Sequence, residues 1–380
     1  FRFPIYDLPL PHQRGDFCND RRMPRPVQAK KILFSFWFLP AGWAMLSSVM
    51  NTQPPLYPLM FKPVYKNYIW GGDRIARRYG RSLPSGIYAE SWEITDRAEG
   101  INVVVNGSLA GKDIHELTQT YGAELLGRPL ERFPLLVKLI DSKERLSVQV
   151  HPDEAAAKAV GGEAKAEMWY MLDADPGAEV FVGFQPGVNE VRFREALAAG
   201  RVGDLLKQVS VHQGDVIYIP GGCVHTIGAG GLILEVQQNS DTTYRVFDWN
   251  RVGSDGKPRE LHIEQALKVI QWQGIPAARQ PMPSVPAETP PKGNLIVERL
   301  RTPYFRFEEL TVPGMLACSL DTHSFHALFL EKGLVRIKSG SVLVDVTPGT
   351  TILMPDCLNK YEMANLNTTG ASRLLRISLP

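Results

Sequence analysis

Eight histidines are spread along the 380 residues, and two of them stand in β-rich, turn-punctuated settings with polar companions at strand spacing. In the segment 147–153, SVQVHPD, the residues Ser147, Gln149 and His151 recur at every second position. That is the side-chain period of a strand, so the three share one face while Val148 and Val150 share the other. If the polar face points inward it needs partners, because an unpaired buried polar group is costly. Further on, Lys165, Glu167 and Trp169 alternate in the same way, and a third segment runs from Gly214 through five residues to Pro220, Gly222 and His225. The imidazoles of His151 and His225, the carboxylate of Glu167 and the amide oxygen of Gln149 make a mixed nitrogen and oxygen donor set. With room left for water or a substrate hydroxyl, it suits zinc or another divalent first-row ion. Taken singly, His151 reads rather as a core or surface histidine before a Pro-Asp turn, and Glu167 as a solvated strand residue. The glycine-rich approach to His225 favours the joint metal reading.

The remaining histidines carry less. His115, His212 and His262 fall in helical or turn settings without paired carboxylates at ligand spacing, and are read as structural or surface residues. His323 and His326 form an H-x-x-H with no carboxylate following at useful spacing. No G-x-S-x-G elbow, Walker loop or strand-led dinucleotide fingerprint is present, so nucleophilic hydrolysis and nucleotide chemistry have no support.

The elements that must position these residues are mainly strands. Short β-branched runs at 101–105, 146–150 and 216–219 are bounded by Gly, Pro and Asp, and further runs occupy 333–338, 342–346 and 373–378. Helical spacing is found at 113–126, 189–209 and 260–270. Residues 274–293 hold six prolines in twenty positions, which favours an extended linker. The segment 214–220 is echoed at 349–355, each a glycine, five mostly apolar residues and a proline, and five positions beyond the prolines stand His225 and Lys360. The echo implies two related β modules, of which only the first can hold a metal at that point, since a protonated lysine is no ligand.

Composition bounds the rest. With 44% hydrophobic and 22% charged residues, 33 Gly, 29 Pro and a formal net charge of +2, the chain is globular, which excludes collagen, coiled coil and wholesale disorder. The four cysteines (Cys18, Cys223, Cys318, Cys357) are scattered with no C-x-x-C, so neither a disulfide framework nor a thiolate zinc site is expected, and a reducing cytoplasm fits. Residues 1–49 carry seven Lys and Arg against three Asp and Glu, leaving the body at 35 against 37. A near-neutral body argues against nucleic acid and for small molecules or proteins as partners. The apolar stretch 32–46 behind Lys30 and Lys31 is short for a membrane span, is interrupted by Pro40 and Gly42, and lacks an Ala-x-Ala cleavage site. A secretory signal peptide is the competing reading; we prefer to read 1–49 as a disordered leader or mistranslated upstream sequence, with translation starting at Met50 and Met60 as the alternative. The expected organisation is a catalytic metal-binding domain over 50–273 with helical segments, a linker over 274–293 and a C-terminal β domain over 294–380.

The motif of Gly214, Pro220, Gly222 and His225 resembles the second motif of the cupin superfamily, and Gln149 and His151 with Glu167 resemble a variant of its first. Within cupins the chain resembles the type I phosphomannose isomerase family in its short bacterial form, which lacks a long helical insertion. Segments 63–72, 90–93, 146–153, 165–170 and 239–249 carry the likeness, which runs from about residue 56 to 380. Ala166 departs from the Thr or Pro common in related sequences. The resemblance implies a mainly β protein, with a jelly-roll cupin barrel for catalysis, helical additions and a second, degenerate cupin-like β domain without metal ligands. It implies Zn²⁺, one per chain, held by Gln149, His151, Glu167 and His225. It further implies Arg245, Lys165 and Asp241 as catalytic residues and Ser147 and Lys138 as contacts of the sugar phosphate.

The implied reaction interconverts mannose 6-phosphate and fructose 6-phosphate by removing a proton from C2 and returning it at C1 through an enediol. An electrophile is needed as much as a base, and Arg245, Lys165 or a divalent ion could stabilise the developing charge. Asp241, Lys165 with a lowered pKa, or a metal-bound water are each able to act as base. Arg245, Lys138 and Ser147 are candidate donors to the phosphate, with Lys138 alternatively a solvated strand residue. Two other readings share the fold: an iron-dependent cupin dioxygenase and a non-catalytic sugar-binding cupin. Gln149 as a ligand with Lys165 and Arg245 nearby weighs against the first, and the set of Lys165, Asp241 and Arg245 against the second. The partners expected are a phosphorylated hexose, no nucleic acid and no membrane, with the protein a monomer or homodimer.

Overall fold

In the computed structural model, residues 53–83, 87–253, 256–272, 293–320 and 323–380 are described. The leader 1–49 and the Met50 start fall outside them, as does all of the proline-rich linker except Gly293. Strands dominate, as expected, and they build two jelly-roll barrels of the same plan. In the first, eight strands run from Leu135–Ser142 to Gly231–Gln238; in the second, eight run from Arg306–Val312 to Ser372–Ser378. In each, the first, third, sixth and eighth strands form one sheet and the second, fourth, fifth and seventh the other, with antiparallel pairing throughout. The echoed Gly-(x5)-Pro segments are the sixth strand of each barrel, Val216–Ile219 and Thr351–Met354. His225 and Lys360 each open the seventh.

Additional strands extend these sheets. Glu90–Ile94 and Val64–Lys66 continue the first barrel's larger sheet, and Tyr244–Phe247 is the edge of its smaller one. Leu59–Lys62 lies antiparallel to Thr351–Met354 and so joins the second barrel's larger sheet.

The strand Leu135–Ser142 is buried at every residue because both of its faces are covered. Val137 and Leu139 pack with Phe307, Phe325 and Phe329 of the second barrel, whereas Ile140 packs inside the first with Trp169, Ile217 and Ile233. Lys138 shares the parity of Ile140 and so faces the interior of the first barrel. Val148 and Val150 pack on the other side of the smaller sheet with Phe193, Val224 and Val246.

The helices are short. The 113–126 window is two helices, Ile114–Tyr121 and Ala123–Leu126, broken at Gly122, and the first opens on a reciprocal cap between Asp113 and Glu116. The 189–209 window is helical only over Glu190–Ala198. Gly200 then turns the chain at a φ of 67°, and Leu206–Ser210 pairs as a strand with Glu179–Phe184. The third window holds the helix Ile263–Val269. Among the described residues, no helix is long and apolar enough to cross a membrane. Cys223, Cys318 and Cys357 are free thiols.

Candidate active site and metal centre

Three buried side chains converge inside the first barrel. Glu167 begins its strand in the larger sheet, His225 begins its strand in the smaller one, and His151 follows Val148–Val150 directly. Glu167 Oε2 lies 3.4 Å from His151 Nε2, and Glu167 Oε1 lies 3.3 Å from His225 Nε2. The potential ligand atoms all lie within 4.8 Å of one another. The glycine-rich turn makes this approach possible. A Cβ at Gly221 would stand 2.5 Å from the Cα of Asp153, and the amide of Gly222, at a φ of 82°, donates to the carbonyl of His151 at 2.7 Å.

Both imidazoles are oriented through Nδ1. His151 Nδ1 is 2.9 Å from the carbonyl of Thr242, and His225 Nδ1 is 2.9 Å from that of Cys223. A carbonyl can only accept, so Nδ1 carries the proton in each ring and Nε2 is left as a lone-pair donor toward Glu167. Burial pushes the His151 pKa down to about 3, with the Lys165 ammonium adding to the effect, and burial lowers His225 as well. Burial alone would raise the Glu167 carboxyl, but Lys165 and the two histidines overcome it and hold it well below the usual range. The rings are thus neutral and the carboxylate ionised, the protonation states a cation requires. Glu167 Oε1 and His225 Nε2 are buried without a hydrogen-bond partner, and Glu167 Oε2 meets the Lys165 ammonium as an ion pair. Orphaned donors of this kind fit a metal ion. Gln149 stands directly opposite His225 across the ladder and is half-buried.

Lys165 links this cluster to a cavity of about 280 Å³. Its Nζ lies 3.0 Å from Glu167 Oε2 and 3.1 Å from His151 Nε2, and the same side chain lines the cavity wall. Ser147, Lys138, Gln149, Asp241 and Arg245 line that cavity too, so the structure brings the nine sequence-derived residues into one cluster and one adjoining space. Lys138 is buried and ion-paired rather than solvated. Its Nζ is 2.9 Å from Glu235 Oε1 and 3.7 Å from Glu90 Oε2, and the two carboxylates raise its pKa against the opposing effect of burial. Indole N–H groups orient both acids, Trp169 donating to Glu235 at 2.9 Å and Trp92 to Glu90 at 2.7 Å. Burial raises the Glu235 carboxyl, with the charge of Glu167 adding to it. Asp241 is exposed on the cavity wall.

Arg245 is half-buried, donates from Nη1 to the carbonyl of Glu260 at 2.8 Å, and has a buried Nε with no hydrogen-bond partner. Burial lowers its pKa, and the neighbouring charge of Arg259 lowers it further. The backbone N–H of Arg245 donates to His262 Nδ1 at 3.2 Å, so His262 supports the site rather than entering it. His115 pairs with Asp96 at 3.1 Å, His212 is exposed, and His326 bonds the hydroxyl of Tyr361 at 2.9 Å.

Sequence reasoning did not single out Glu235, Glu90, Arg259 or Tyr68, which also line the cavity. Glu235 had a signal: a lone acid in the otherwise apolar run 231–236 must find a buried countercharge. Glu90 lay inside a segment already noted for its likeness. Nothing in the local pattern marked Arg259.

The family model described as "Phosphomannose isomerase type I, catalytic domain" matches residues 59–189. The mannose-6-phosphate isomerase of Streptococcus mutans is 34% identical over 307 residues, covering 80% of this chain and 94% of that protein. The mannose-6-phosphate isomerase ManA of Bacillus subtilis is 35% identical over 314 residues, covering 80% and 95%. The crystal structure of the mannose 6-phosphate isomerase from Bacillus subtilis superposes with a TM-score of 0.75 at 30% identity, covering 84% of this chain and 99% of that one. With a matching catalytic-domain model, relatives alike over nearly their whole lengths and a shared fold, the chain belongs to the type I phosphomannose isomerase family.

Proposed function

We propose that the protein is a zinc-dependent aldose-ketose isomerase that interconverts mannose 6-phosphate and fructose 6-phosphate through an enediol, in the cytoplasm. The observation that carries this reading is Lys165, whose ammonium touches the His151, Glu167 and His225 cluster and lines the polar cavity beside it. A cluster of two imidazole nitrogens and a carboxylate, with the Gln149 amide at hand, matches the donors that zinc prefers. A bound divalent ion would supply Lewis acidity toward the sugar oxygens at C1 and C2.

The protein's own residues have separate parts. Lys165 offers positive charge where the enediolate develops, which lowers the barrier because that charge exists only near the transition state, and Arg245 holds the anionic end of the substrate from across the cavity. Asp241, exposed on the cavity wall, is available to carry the proton from C2 to C1. The proton leaving C2 returns to C1 as the hydroxyl proton of C2 is lost and the C1 oxygen is protonated, so no external oxidant or reductant is consumed. Ser147 and Lys138, on the cavity wall, are donors to the oxygens of the bound sugar. The three free thiols accord with a reducing compartment.

A coupled assay for fructose 6-phosphate formation, run on protein before and after chelation and again after zinc restoration, tests this function. Activity lost with chelator and restored by zinc is the expected result. Absence of turnover in folded, zinc-loaded protein would sink the isomerase reading, and oxygen uptake with iron would replace it with a dioxygenase.

A further inference from the structure

We propose that Arg259, clamped by Asp248, is an anchor for the substrate phosphate, acting with Arg245 at the end of the cavity away from the metal cluster. The inference rests on the isomerase reading and assigns a direction to the bound sugar.

The direction follows from strand register. His225 stands opposite Gln149, and Gln149 stands opposite Arg245 on the next strand. Adjacent strands are about 4.8 Å apart, so the backbone of Arg245 is roughly 10 Å from that of His225. An open six-carbon sugar spans a comparable distance between its first two carbons and a phosphate on the sixth. With the reacting carbons at the cluster and Lys165, the phosphate falls at the Arg245 strand, which is the edge of its sheet. The bond from Arg245 Nη1 to the carbonyl of Glu260 sets Arg259, the preceding residue, beside it, and both arginines line the cavity.

The second argument is charge. Arg259 donates from Nε to Asp248 Oδ2 at 2.7 Å and from Nη2 to Oδ1 at 2.6 Å, a forked contact that fixes the guanidinium plane. The same carboxylate also receives Arg251 Nη2 at 2.6 Å. One buried acid thus serves two guanidiniums, and Arg245 brings a third cation with a buried Nε that bonds nothing. Asp241 on the same wall and the exposed Glu260 carboxylate bring countercharge, so the attraction for an anion lies in the aimed guanidinium donors, above all the unpartnered Arg245 Nε. Near Lys138 the balance is reversed, because a dianion would have to approach the carboxylates of Glu235 and Glu90. Lys138 therefore suits sugar hydroxyls better than the phosphate itself.

The surrounding backbone is built to hold this end. Trp249 and Asn250 adopt left-handed φ values of 57° and 56°, a conformation that residues with side chains rarely take up without support. Trp249 Nε1 donates to the carbonyl of Leu146 at 2.7 Å and Arg251 Nη1 to that of Arg145 at 2.6 Å. The turn that carries Asp248 is thereby tied to the segment leading into Ser147.

The test compares metal-loaded wild type with Arg259→Ala and Arg259→Lys, using mannose 6-phosphate as substrate and inorganic phosphate as competitive inhibitor and calorimetric ligand. Arg259→Ala is expected to raise both the KM and the phosphate inhibition constant by about 10- to 100-fold, with the larger part of the loss in KM rather than kcat. Arg259→Lys, which keeps the charge but not the fork, is expected to recover part of the phosphate affinity. Unchanged phosphate binding in a folded Arg259→Ala protein, or a loss confined to kcat, would overturn the assignment. If the alanine variant does not fold, the lysine variant decides: phosphate affinity equal to wild type together with an unchanged KM also overturns it. Wild type that binds phosphate through Arg259 without turning over mannose 6-phosphate would refute the isomerase reading and leave the anion site standing.

Discussion

Lys138 and Glu235 are directly opposed residues of adjacent strands, their charged groups 2.9 Å apart in the interior of the first barrel. The second barrel repeats the position with the signs exchanged: Glu308 opposes Arg376, and Arg376 Nε donates to Glu308 Oε2 at 2.7 Å. Both pairs join the first and eighth strands of their barrels. A buried countercharge is thus part of the common barrel plan, and among the described residues only the first barrel sets a candidate metal-ligand cluster beside it.

This pairing predicts a large penalty for breaking either partner alone. Lys138→Met leaves Glu235 buried beside Glu90 without its cation and should destabilise the protein by about 3–5 kcal/mol, as uncompensated buried charges do. The double variant Lys138→Met, Glu235→Gln should recover a substantial part of that loss. Urea unfolding of the two single variants and the double variant measures the coupling, and strictly additive losses would contradict it.

His225→Ala should remove the metal while leaving the barrel folded, because the ring's structural bond is a single contact to the carbonyl of Cys223. Metal affinity is expected to fall by at least about 100-fold, the upper end of what even outer supporting residues cost. Metal content after dialysis, read beside the circular dichroism spectrum, checks this. Retention of one ion per chain would show that His225 is not a ligand.

Arg245→Ala should lower turnover by orders of magnitude with bound metal unchanged. The arginine's side chain lines the cavity and donates to the carbonyl of Glu260, while the His151 and His225 rings are held by the carbonyls of Thr242 and Cys223. Parallel metal analysis and kinetics distinguish the outcomes, since loss of metal in this variant would make Arg245 a structural residue.

His326 predicts an acid sensitivity seated in the second barrel. Burial pushes its pKa down to about 3, with Arg376 and Arg306 adding to the effect, so the folded protein holds it neutral where the unfolded chain protonates it near 6.5. The unfolded state binds the extra proton, so this contribution is complete above pH 6.5 and declines as the pH falls toward 3. The decline should be about 1.4 kcal/mol per pH unit in that window. Comparing the unfolding free energies of wild type and His326→Gln at pH 7.5 and 5.5 isolates it. The variant should lose less stability on acidification, and an equal loss in both proteins would remove His326 from the account.

Much of this architecture was legible because strand parity and turn chemistry act locally. Val216–Ile219 was marked by its glycine and proline, and its echo at 349–355 exposed the second barrel. The alternation of Ser147, Gln149 and His151 held in its effect although the strand itself is only Val148–Val150, because the two valines pack into the core and leave the polar set on the cavity side. Pairing across long separations was hidden. The tail of the 189–209 window kept helical spacing but became a strand, since the ladder offered by Glu179–Phe184 outweighs weak helix propensity beyond Gly200. Arg259 was invisible for a related reason: its importance comes from Asp248, eleven positions away, and from a cavity assembled by several strands.

The pairing of Leu59 with Leu353 bears on how the protein comes into being. Among the earliest described residues to leave the ribosome, the strand Leu59–Lys62 waits for a partner that is synthesised 294 positions later. The first barrel's eight core strands can assemble during translation, while the second barrel's larger sheet closes only after Thr351–Met354 and Ser372–Ser378 have emerged. A nascent or C-terminally truncated chain would carry that strand with an open edge, the kind of surface that chaperones cover and that otherwise invites aggregation.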